Sequence, residues 1–245
     1  MLHALTFPGG STDLLRCFST RSEEGSTYVY DPASSSLYSS SGPIYEAQKR
    51  VELTSNDLRK MLLVDDFSKL SFLPYVCWSI LVDCNLECPH CIDDKTNAEG
   101  SSELRRRIAS ILTESRLMGV DISGGEPLML PDLYEVLDIL ALSSLASSVT
   151  TNGWLLSRHA ARLANRVDAV RVSLDAPNES DHDAIRGHGS FTRALSGIET
   201  ACEMSVPTQI QVVAMKRHAN LLPNFIQMAE DKGCLLYTSP SPRDA

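Results

Sequence analysis

From residue 76 onward, strand-like apolar runs alternate with stretches of helical periodicity, and this alternation constrains the fold more than any other feature of the chain. The predicted strands are 76–82, 120–123, 148–151, 167–174 and 208–215. The predicted helices are 101–118, one that begins at Pro131, 155–165, one that Ser190 caps, and 220–231. The apolar face of the first helix carries Leu104, Ile108, Ile111 and Leu112. The repetition predicts an α/β fold with a parallel sheet, either a barrel or a doubly wound sheet, whose ligands bind at the carboxyl ends of the strands.

The two ends of the chain do not follow this rhythm. Residues 1–70 predict a small N-terminal region that is β-rich and then partly helical over 46–70, ahead of a main domain over 75–233. Where a sixth strand is due, the sequence resembles what a transposase sequencing adapter encodes in one reading frame. We therefore interpret 234–245 as a non-native tail and expect the sixth strand to be missing. The alternative is a genuine Ser/Pro-rich tail, and the underlying nucleotides distinguish the two.

Composition and charge narrow the classes of function. The chain has 245 residues and a formal net charge of −9, which predicts no basic surface for nucleic acid or for anionic lipid. No apolar run approaches the ~20 residues that span a bilayer, and the N-terminus lacks the pattern of a secretory signal. Seven cysteines, three of them clustered, indicate metal ligation in a reducing compartment better than a disulfide framework. We therefore expect a cytoplasmic protein without nucleic-acid or membrane partners.

Three of the cysteines, Cys84, Cys88 and Cys91, lie directly after the first predicted strand. Thiolate ligands select zinc, copper(I) or iron–sulfur clusters. A cubane cluster normally takes four cysteines, so three leave one iron open to a substrate or cofactor. Two alternatives stay open: half of a structural zinc site, which needs a second pair of ligands, and chance burial of unpaired thiols. Cys77 and Cys202, by contrast, are interpreted as small buried hydrophobic residues.

Polar residues also follow the later strands. Residues 123–127, Ser-Gly-Gly-Glu-Pro, come after the second strand, where glycines allow a ligand to approach the backbone and a carboxylate can pair with an ammonium group. Asn152 follows the third strand, and Ser173 and Asp175 end the fourth. These positions meet at the carboxyl edge of a parallel sheet. Asn, Ser and Asp also favour turns and helix caps, so a structural role is the alternative for each.

The Cys-x3-Cys-x2-Cys motif with His90 before its last cysteine, together with the Gly-Gly-Glu-Pro element, resembles the signature of the radical S-adenosylmethionine (radical SAM) superfamily. The resemblance covers about 75–233 and implies a partial TIM-like (β/α)6 barrel with about five βα units present. It also implies a 4Fe–4S cluster on Cys84, Cys88 and Cys91, with S-adenosylmethionine as the second cofactor. The implied enzyme, an oxidoreductase or transferase, cleaves S-adenosylmethionine reductively to a 5′-deoxyadenosyl radical that abstracts hydrogen from its substrate.

The same resemblance assigns a set of residues to S-adenosylmethionine: Gly124, Gly125, Glu126, Asn152, Ser173, Asp175 and Arg186. The Gly-Gly-Glu element receives the amino group of the methionine part, and Asn152 lines the pocket wall. The serine and aspartate of the fourth strand belong to the ribose or methionine carboxylate region. Arg186 reaches the carboxylate, for which a planar guanidinium is suited. No residue is singled out as the group that acts on the substrate.

For the substrate, residues 28–32 and 41–45 resemble the N-terminal region of peptide-modifying members with an additional C-terminal cluster domain, the SPASM group. That resemblance implies a peptide or a cofactor precursor as substrate and an electron donor such as flavodoxin or ferredoxin. Two rival classes stay open, a non-catalytic binding module that keeps the cluster and a zinc-stabilised domain. Labile sulfide separates the zinc domain from the cluster, and formation of 5′-deoxyadenosine separates the binding module from the enzyme.

Overall fold

The structure is a computed structural model that describes residues 3–5, 16–23, 26–31, 36–41, 50–53, 62–63, 70, 74–91, 100–115, 117–214 and 220–240. The strands of its main sheet are β1 His3–Leu5, β7 Tyr75–Leu81, β8 Gly119–Gly124, β9 Ala146–Thr151, β10 Ala169–Ser173, β11 Thr208–Ala214 and β12 Leu235–Pro240. These seven strands follow the order β1-β12-β11-β10-β9-β8-β7. β7 to β12 are parallel to one another, and β1 pairs antiparallel with β12.

Helices follow the parallel strands β7 to β11. Their bounds are α1 Ser102–Glu114, α2 Leu133–Ala141, α3 Leu156–Leu163, α4 Glu179–Arg186, α5 Ser190–Glu203 and α6 Leu222–Lys232, with a 3₁₀ turn at Pro127–Met129. The predicted α/β fold with five βα units is therefore confirmed, and only α4 was not predicted as a helix. Within the described ranges, no helix is both long and apolar enough to cross a membrane.

Alternation along the strands separates an apolar face of the sheet from a polar one. On β10, Val170 and Val172 are buried in the core that the sheet shares with α2, α3, α5 and α6. The intervening residues Arg171 and Ser173 point to the opposite face, because successive side chains of a strand alternate. We call this opposite face of β7 to β11 the inner face.

A buried polar network lies across the inner face. The guanidinium of Arg171 lies 2.5 Å from the Asp121 carboxylate and donates to Ser148 and to Gln209 at 2.8 and 2.9 Å. The Asp121 carboxylate also accepts hydrogen bonds from Ser148 and Thr150. Each of four neighbouring strands, β8 to β11, contributes to the network, which therefore links the central part of the seven-stranded sheet.

A second, antiparallel sheet precedes the main domain. Its strands are β2 Arg16–Glu23, β3 Ser26–Asp31, β4 Ser36–Ser41, β5 Arg50–Leu53 and β6 Leu62–Leu63, in the order β5-β2-β3-β4-β6. Tyr30 on β3 stacks on Tyr75 with ring centroids 5.5 Å apart. A Cβ at Gly119 would lie 2.2 Å from the Tyr30 ring, so only glycine fits there. The second sheet therefore packs at the amino ends of the main strands, away from their carboxyl edge.

Two predictions about the chain ends need revision. β5 and β6 fall within the stretch 46–70 that was predicted to be partly helical, most of which lies outside the described residues. The sixth strand, predicted to be missing, is present as β12, in parallel register with β11 and with Leu236 buried in the core. It forms because α6 ends at Gly233, in the left-handed conformation, and a β-prone run follows. The interpretation of 234–245 as a non-native tail stays a prediction.

The buried face of α1 also differs from the prediction. Leu104 and Ile111 are 48% and 57% exposed, whereas Arg105 and Ala109 are buried. Arg105 donates two hydrogen bonds to the two carboxylate oxygens of Asp132, at 2.8 and 2.9 Å. This bidentate pair compensates the burial of a charged residue, which a pattern of apolar residues does not reveal.

A side chain of the preceding helix, α4, caps α5. Ser190 was predicted as the cap, but it is the first helical residue, and its hydroxyl donates to Asp183. The same Asp183 carboxylate accepts from the backbone N–H groups of Gly189 and Phe191, at 2.5 and 2.9 Å. A carboxylate on α4 therefore satisfies the free donors at the start of α5.

Two cysteines outside the cluster are less buried than predicted. Cys77 is exposed on the inner face, with its Sγ 4.0 Å from an Asp121 oxygen. Its strand, β7, is the last in the order of the main sheet, so only one described strand, β8, pairs with it. Cys202 on α5 is half-buried.

Candidate functional site

The cysteine loop leaves the carboxyl end of β7. A turn closes between Cys88 and Cys91, with a hydrogen bond of 3.0 Å from the Cys91 N–H to the Cys88 carbonyl. The backbone N–H of Leu86 lies 3.4 Å from the Cys84 sulfur, and the Leu86 side chain is buried. Cys84 and Cys88 are half-buried and Cys91 is exposed. The loop is thus anchored in its middle, and its three thiols lie at the predicted edge of the sheet.

Burial and nearby charges act on two of the thiols. Burial raises the pKa of Cys84 and of Cys88. Charge on Cys91 raises each pKa further, and charge on Cys84 also raises that of Cys88. At Cys88 the guanidinium of Arg186 acts in the opposite direction and favours the thiolate. A metal ligand must be deprotonated, so the adjacent cation favours ligation.

This donor set fits the implied cluster. Soft thiolates are the ligands of iron–sulfur clusters, and a cubane takes one thiolate for each iron. In the part of the chain that the structure describes, no three His, Cys, Asp or Glu side chains are grouped closely enough to hold one metal ion. The fit to a cluster rests on the chemistry of three thiols on one loop, with the Arg186 cation acting on Cys88.

The Gly-Gly turn lies directly against the start of the cysteine loop. The N–H groups of Gly125 and Glu126 donate to the carbonyls of Leu81 and Asp83, at 2.9 and 2.8 Å. Gly124 has φ of 116°, and a Cβ on Gly125 would lie 2.0 Å from the Asp83 carbonyl oxygen. No side chain fits at either glycine, because the two backbones are in contact there.

Glu126 points into the protein. Its carboxylate is fully buried and accepts hydrogen bonds from the Leu128 N–H, the Thr151 hydroxyl and the Asn152 N–H, at 3.0, 2.7 and 2.8 Å. Burial raises the pKa of this carboxyl, and the three donors oppose that change. The carboxylate therefore joins the Gly-Gly turn to the end of β9, a structural role that the sequence interpretation missed.

Asn152 bridges the end of β9 and the cysteine loop. Its amide nitrogen donates to the side-chain oxygen of Asn85 at 2.8 Å and lies 3.8 Å from the Cys84 sulfur. Its amide oxygen accepts from the Trp154 N–H at 2.9 Å. The residue predicted to line the pocket wall is thus in contact with a predicted cluster ligand.

Asp175 organises the opposite side of the site. Its buried carboxylate accepts a hydrogen bond from Arg186 Nε at 2.6 Å and lies 3.3 Å from His90 Nε2 of the cysteine loop. Its other oxygen has no hydrogen-bond partner among the described residues. Ser173 lies on the same strand face, half-buried, opposite Gln211 of β11. The structure therefore brings Asp175 and Arg186 together beside the cysteines.

His182 lies behind Asp175 and is fully buried. Its Nδ1 accepts a hydrogen bond of 3.2 Å from the Asp175 N–H, so this nitrogen carries no proton. Burial, reinforced by Arg186, lowers the pKa of His182 to about 4. A proton on Nδ1 would face the Asp175 N–H, so the folded state favours the neutral ring.

Because the pKa of His182 is lowered on folding, the stability it contributes is present above the ordinary pKa of 6.5 and is lost as pH falls toward 4. We expect the free energy of unfolding to fall by about 2 kcal/mol more between pH 7 and pH 5 in the wild type than in His182→Gln. Urea titrations at the two pH values measure this difference. His188→Gln, which changes a fully exposed histidine, should keep the wild-type dependence. An equal pH dependence in wild type and His182→Gln would contradict the assignment.

Most of the predicted site residues therefore meet at one edge of the sheet, where contacts join the cysteine loop to the Gly-Gly turn, to Asn152 and, through His90, to Asp175. Sequence interpretation missed three members of these contacts, Asn85, Thr151 and the ring of His90 as a partner of Asp175. The only available signal was position, since each is next to a predicted site residue or within the cysteine loop.

Comparison with known proteins agrees with this geometry. Residues 78–219 match the sequence model of the radical SAM superfamily. AdoMet-dependent heme synthase from Methanosarcina barkeri is 32% identical over 66% of this chain and 48% of its own length. Mycofactocin maturase MftC from Mycolicibacterium smegmatis is 31% identical over 75% of this chain and 49% of its own length. The chain thus spans about half the length of the curated relatives it matches.

Among solved structures, Streptococcus suis SuiB bound to the precursor peptide SuiA superposes with a TM-score of 0.59. The match covers 70% of this chain and 40% of that chain, at 18% sequence identity. The shared fold is the partial TIM-like barrel, with parallel strands and alternating helices.

Proposed function

The chain belongs to the radical SAM superfamily, and we propose that it is the cofactor-binding part of an enzyme that cleaves S-adenosylmethionine reductively. The observation that carries the proposal is the contact of three elements at one sheet edge. The cysteine loop, the Gly-Gly turn and the Asp175–Arg186 pair are joined by hydrogen bonds and close charges. Because the match covers only about half the length of these relatives, the activity proposed is that of the whole protein.

Cys84, Cys88 and Cys91 are proposed to hold a 4Fe–4S cluster. Bound there, a reduced cluster would supply the electron for cleavage of S-adenosylmethionine to methionine and a 5′-deoxyadenosyl radical, which would abstract hydrogen from the substrate. The chain's own contribution is to keep three thiolates together, and Arg186 favours their ionised form at Cys88. Asp175 contacts both Arg186 and His90, so it holds the cation and the loop in a fixed relation.

For the methionine part of S-adenosylmethionine we propose two recognition points. An ammonium group needs hydrogen-bond acceptors. The Glu126 carboxylate is buried and already accepts hydrogen bonds from the protein, so we assign this role to the carbonyl oxygens of Gly124 and Gly125. The carboxylate is assigned to Arg186, whose Nε is engaged by Asp175, so its terminal nitrogens are oriented. Ser173, on the same strand face as Asp175, is assigned to the ribose or carboxylate region.

The substrate is proposed to be a peptide, in a maturation reaction. Support comes from the fold shared with SuiB, which was solved with its precursor peptide, and from the name of the mycofactocin maturase. The electron donor is proposed to be a flavodoxin or ferredoxin in the reducing environment of the cytoplasm. We propose three parts of the chain: an N-terminal region over 1–70, a core domain over 75–233 and a non-native tail over 234–245.

Anaerobic reconstitution of the complete gene product with iron, sulfide, dithionite and S-adenosylmethionine tests the proposal. We expect about four irons and four sulfides per chain, and release of 5′-deoxyadenosine and methionine measured by chromatography. Iron without labile sulfide, or zinc in its place, would contradict the cluster. An intact cluster that yields neither product would indicate a binding module instead of an enzyme.

A further inference from the structure

The side-chain amide of Asn152 has one defined orientation. Its oxygen accepts from the Trp154 N–H at 2.9 Å, and its nitrogen donates to the Asn85 oxygen at 2.8 Å. Exchange of the two ends would place donor against donor at Trp154 and acceptor against acceptor at Asn85. The NH₂ end therefore faces the cysteine loop, where it lies 3.8 Å from the Cys84 sulfur.

The backbone of the same residue is held from the other side. The Asn152 N–H donates to the buried Glu126 carboxylate at 2.8 Å, and the Thr151 hydroxyl donates to that carboxylate at 2.7 Å. Asn152 is itself only 7% exposed. The amide is thus fixed in place, in a setting where water competes little for the sulfur.

A fixed N–H donor beside a cluster sulfur has a defined electrostatic effect. Reduction adds negative charge to a cluster and its thiolates, and hydrogen bonds to the sulfurs stabilise that charge and raise the reduction potential. We propose that Asn152 is a positioning residue that acts through the Cys84 thiolate to raise the potential of the cluster. The inference rests on the proposed function only in that Cys84 ligates a cluster, and it assigns Asn152 to the cluster and not to the S-adenosylmethionine pocket.

The test is a redox titration followed by electron paramagnetic resonance, on the reconstituted full chain without S-adenosylmethionine. At the wild-type midpoint, Asn152→Ala should lower the ratio of reduced to oxidised cluster about tenfold, which is about 59 mV for a one-electron couple. Asn85→Ala is the matched control, because it removes the bridge between loop and strand, while the Trp154 N–H still holds the Asn152 oxygen and keeps the amide nitrogen beside Cys84. Its ratio should stay within about twofold of wild type.

A second variant, Asn152→Asp, keeps the shape of the side chain and the acceptor for Trp154, and should lower the ratio at least as far as Asn152→Ala. Unchanged potentials in both Asn152 variants would overturn the inference. An equal fall of the ratio of reduced to oxidised cluster in Asn85→Ala would also overturn the inference, because the position of the cysteine loop would then explain the change. Failure of both Asn152 variants to take up iron and sulfide would assign the residue to cluster assembly instead of tuning. Absence of any cluster in the wild type would refute the proposed function and is distinct from these outcomes.

Discussion

Cys88→Ala is expected to abolish the visible absorbance of the reconstituted cluster and, with it, the release of 5′-deoxyadenosine. Cys88 is the middle cysteine of the three, and the charges of Arg186 and Asp175 act on its pKa. Only three cysteines of the loop serve the cluster, so no spare thiolate replaces the lost ligand. Cys84→Ala and Cys91→Ala should have the same result. Visible absorbance together with iron and sulfide content measures the loss.

The matched control is Cys77→Ala, which removes an exposed thiol from β7, the strand that leads into the same loop. Its absorbance should equal that of the wild type, as should that of Cys202→Ala on α5. Circular dichroism of each variant separates loss of the cluster from loss of the fold. A retained cluster in Cys88→Ala would show that the ligand assignment is wrong.

Asp121→Asn is expected to lower the free energy of unfolding by about 3–5 kcal/mol, since it breaks a buried ion pair by removing one charge. The side chains of Arg171 and Asp121 are only 4% and 13% exposed, and their charged groups lie 2.5 Å apart. The variant leaves the guanidinium charge uncompensated on the inner face. Urea unfolding at neutral pH, monitored by circular dichroism, measures the loss.

Asp138→Asn is the matched control. It makes the same change in an ion pair with Arg166, at 2.7 Å, but Asp138 is 57% exposed. Solvent-exposed pairs contribute little, so we expect a loss of at most about 1 kcal/mol. The double variant Asp121→Asn, Arg171→Met should recover part of the lost stability, because the uncompensated charge is gone. Equal losses in the two single variants would contradict the view that burial decides the cost.

Much of the candidate site follows from local sequence and sheet topology alone. The cysteine loop follows β7 and the Gly-Gly turn follows β8, and the carboxyl ends of parallel neighbours lie at one edge. Position in the chain therefore predicted that Cys84, Gly125 and Asn152 lie close together. It did not predict which way each side chain points, because that depends on partners supplied by other strands.

Glu126 and Arg105 illustrate this dependence. A carboxylate in a glycine-rich turn suggests a contact with a ligand. The Glu126 carboxylate instead lies inside the protein, where it accepts three hydrogen bonds from the turn and from the end of β9. An arginine on an amphipathic helix is expected to be exposed to solvent. Arg105 is nevertheless buried, because it pairs with the Asp132 carboxylate, and Leu104 is exposed instead. In both residues a partner distant in sequence compensates the cost of burying charge.

Hydrophobic periodicity and motif spacing are local properties, so they suffice to predict the α/β class, the order of the βα units and the three cysteine ligands proposed for the cluster. The cap that Asp183 gives α5, the addition of β12 to the parallel sheet and the orientation of the Asn152 amide toward Cys84 are visible only in the folded chain. These features depend on hydrogen bonds between elements, whose energies are realised only when folding brings the partners together. Cys84 depends on both kinds of information: the motif spacing indicates that it is a ligand, and the contacts in the folded protein set its environment.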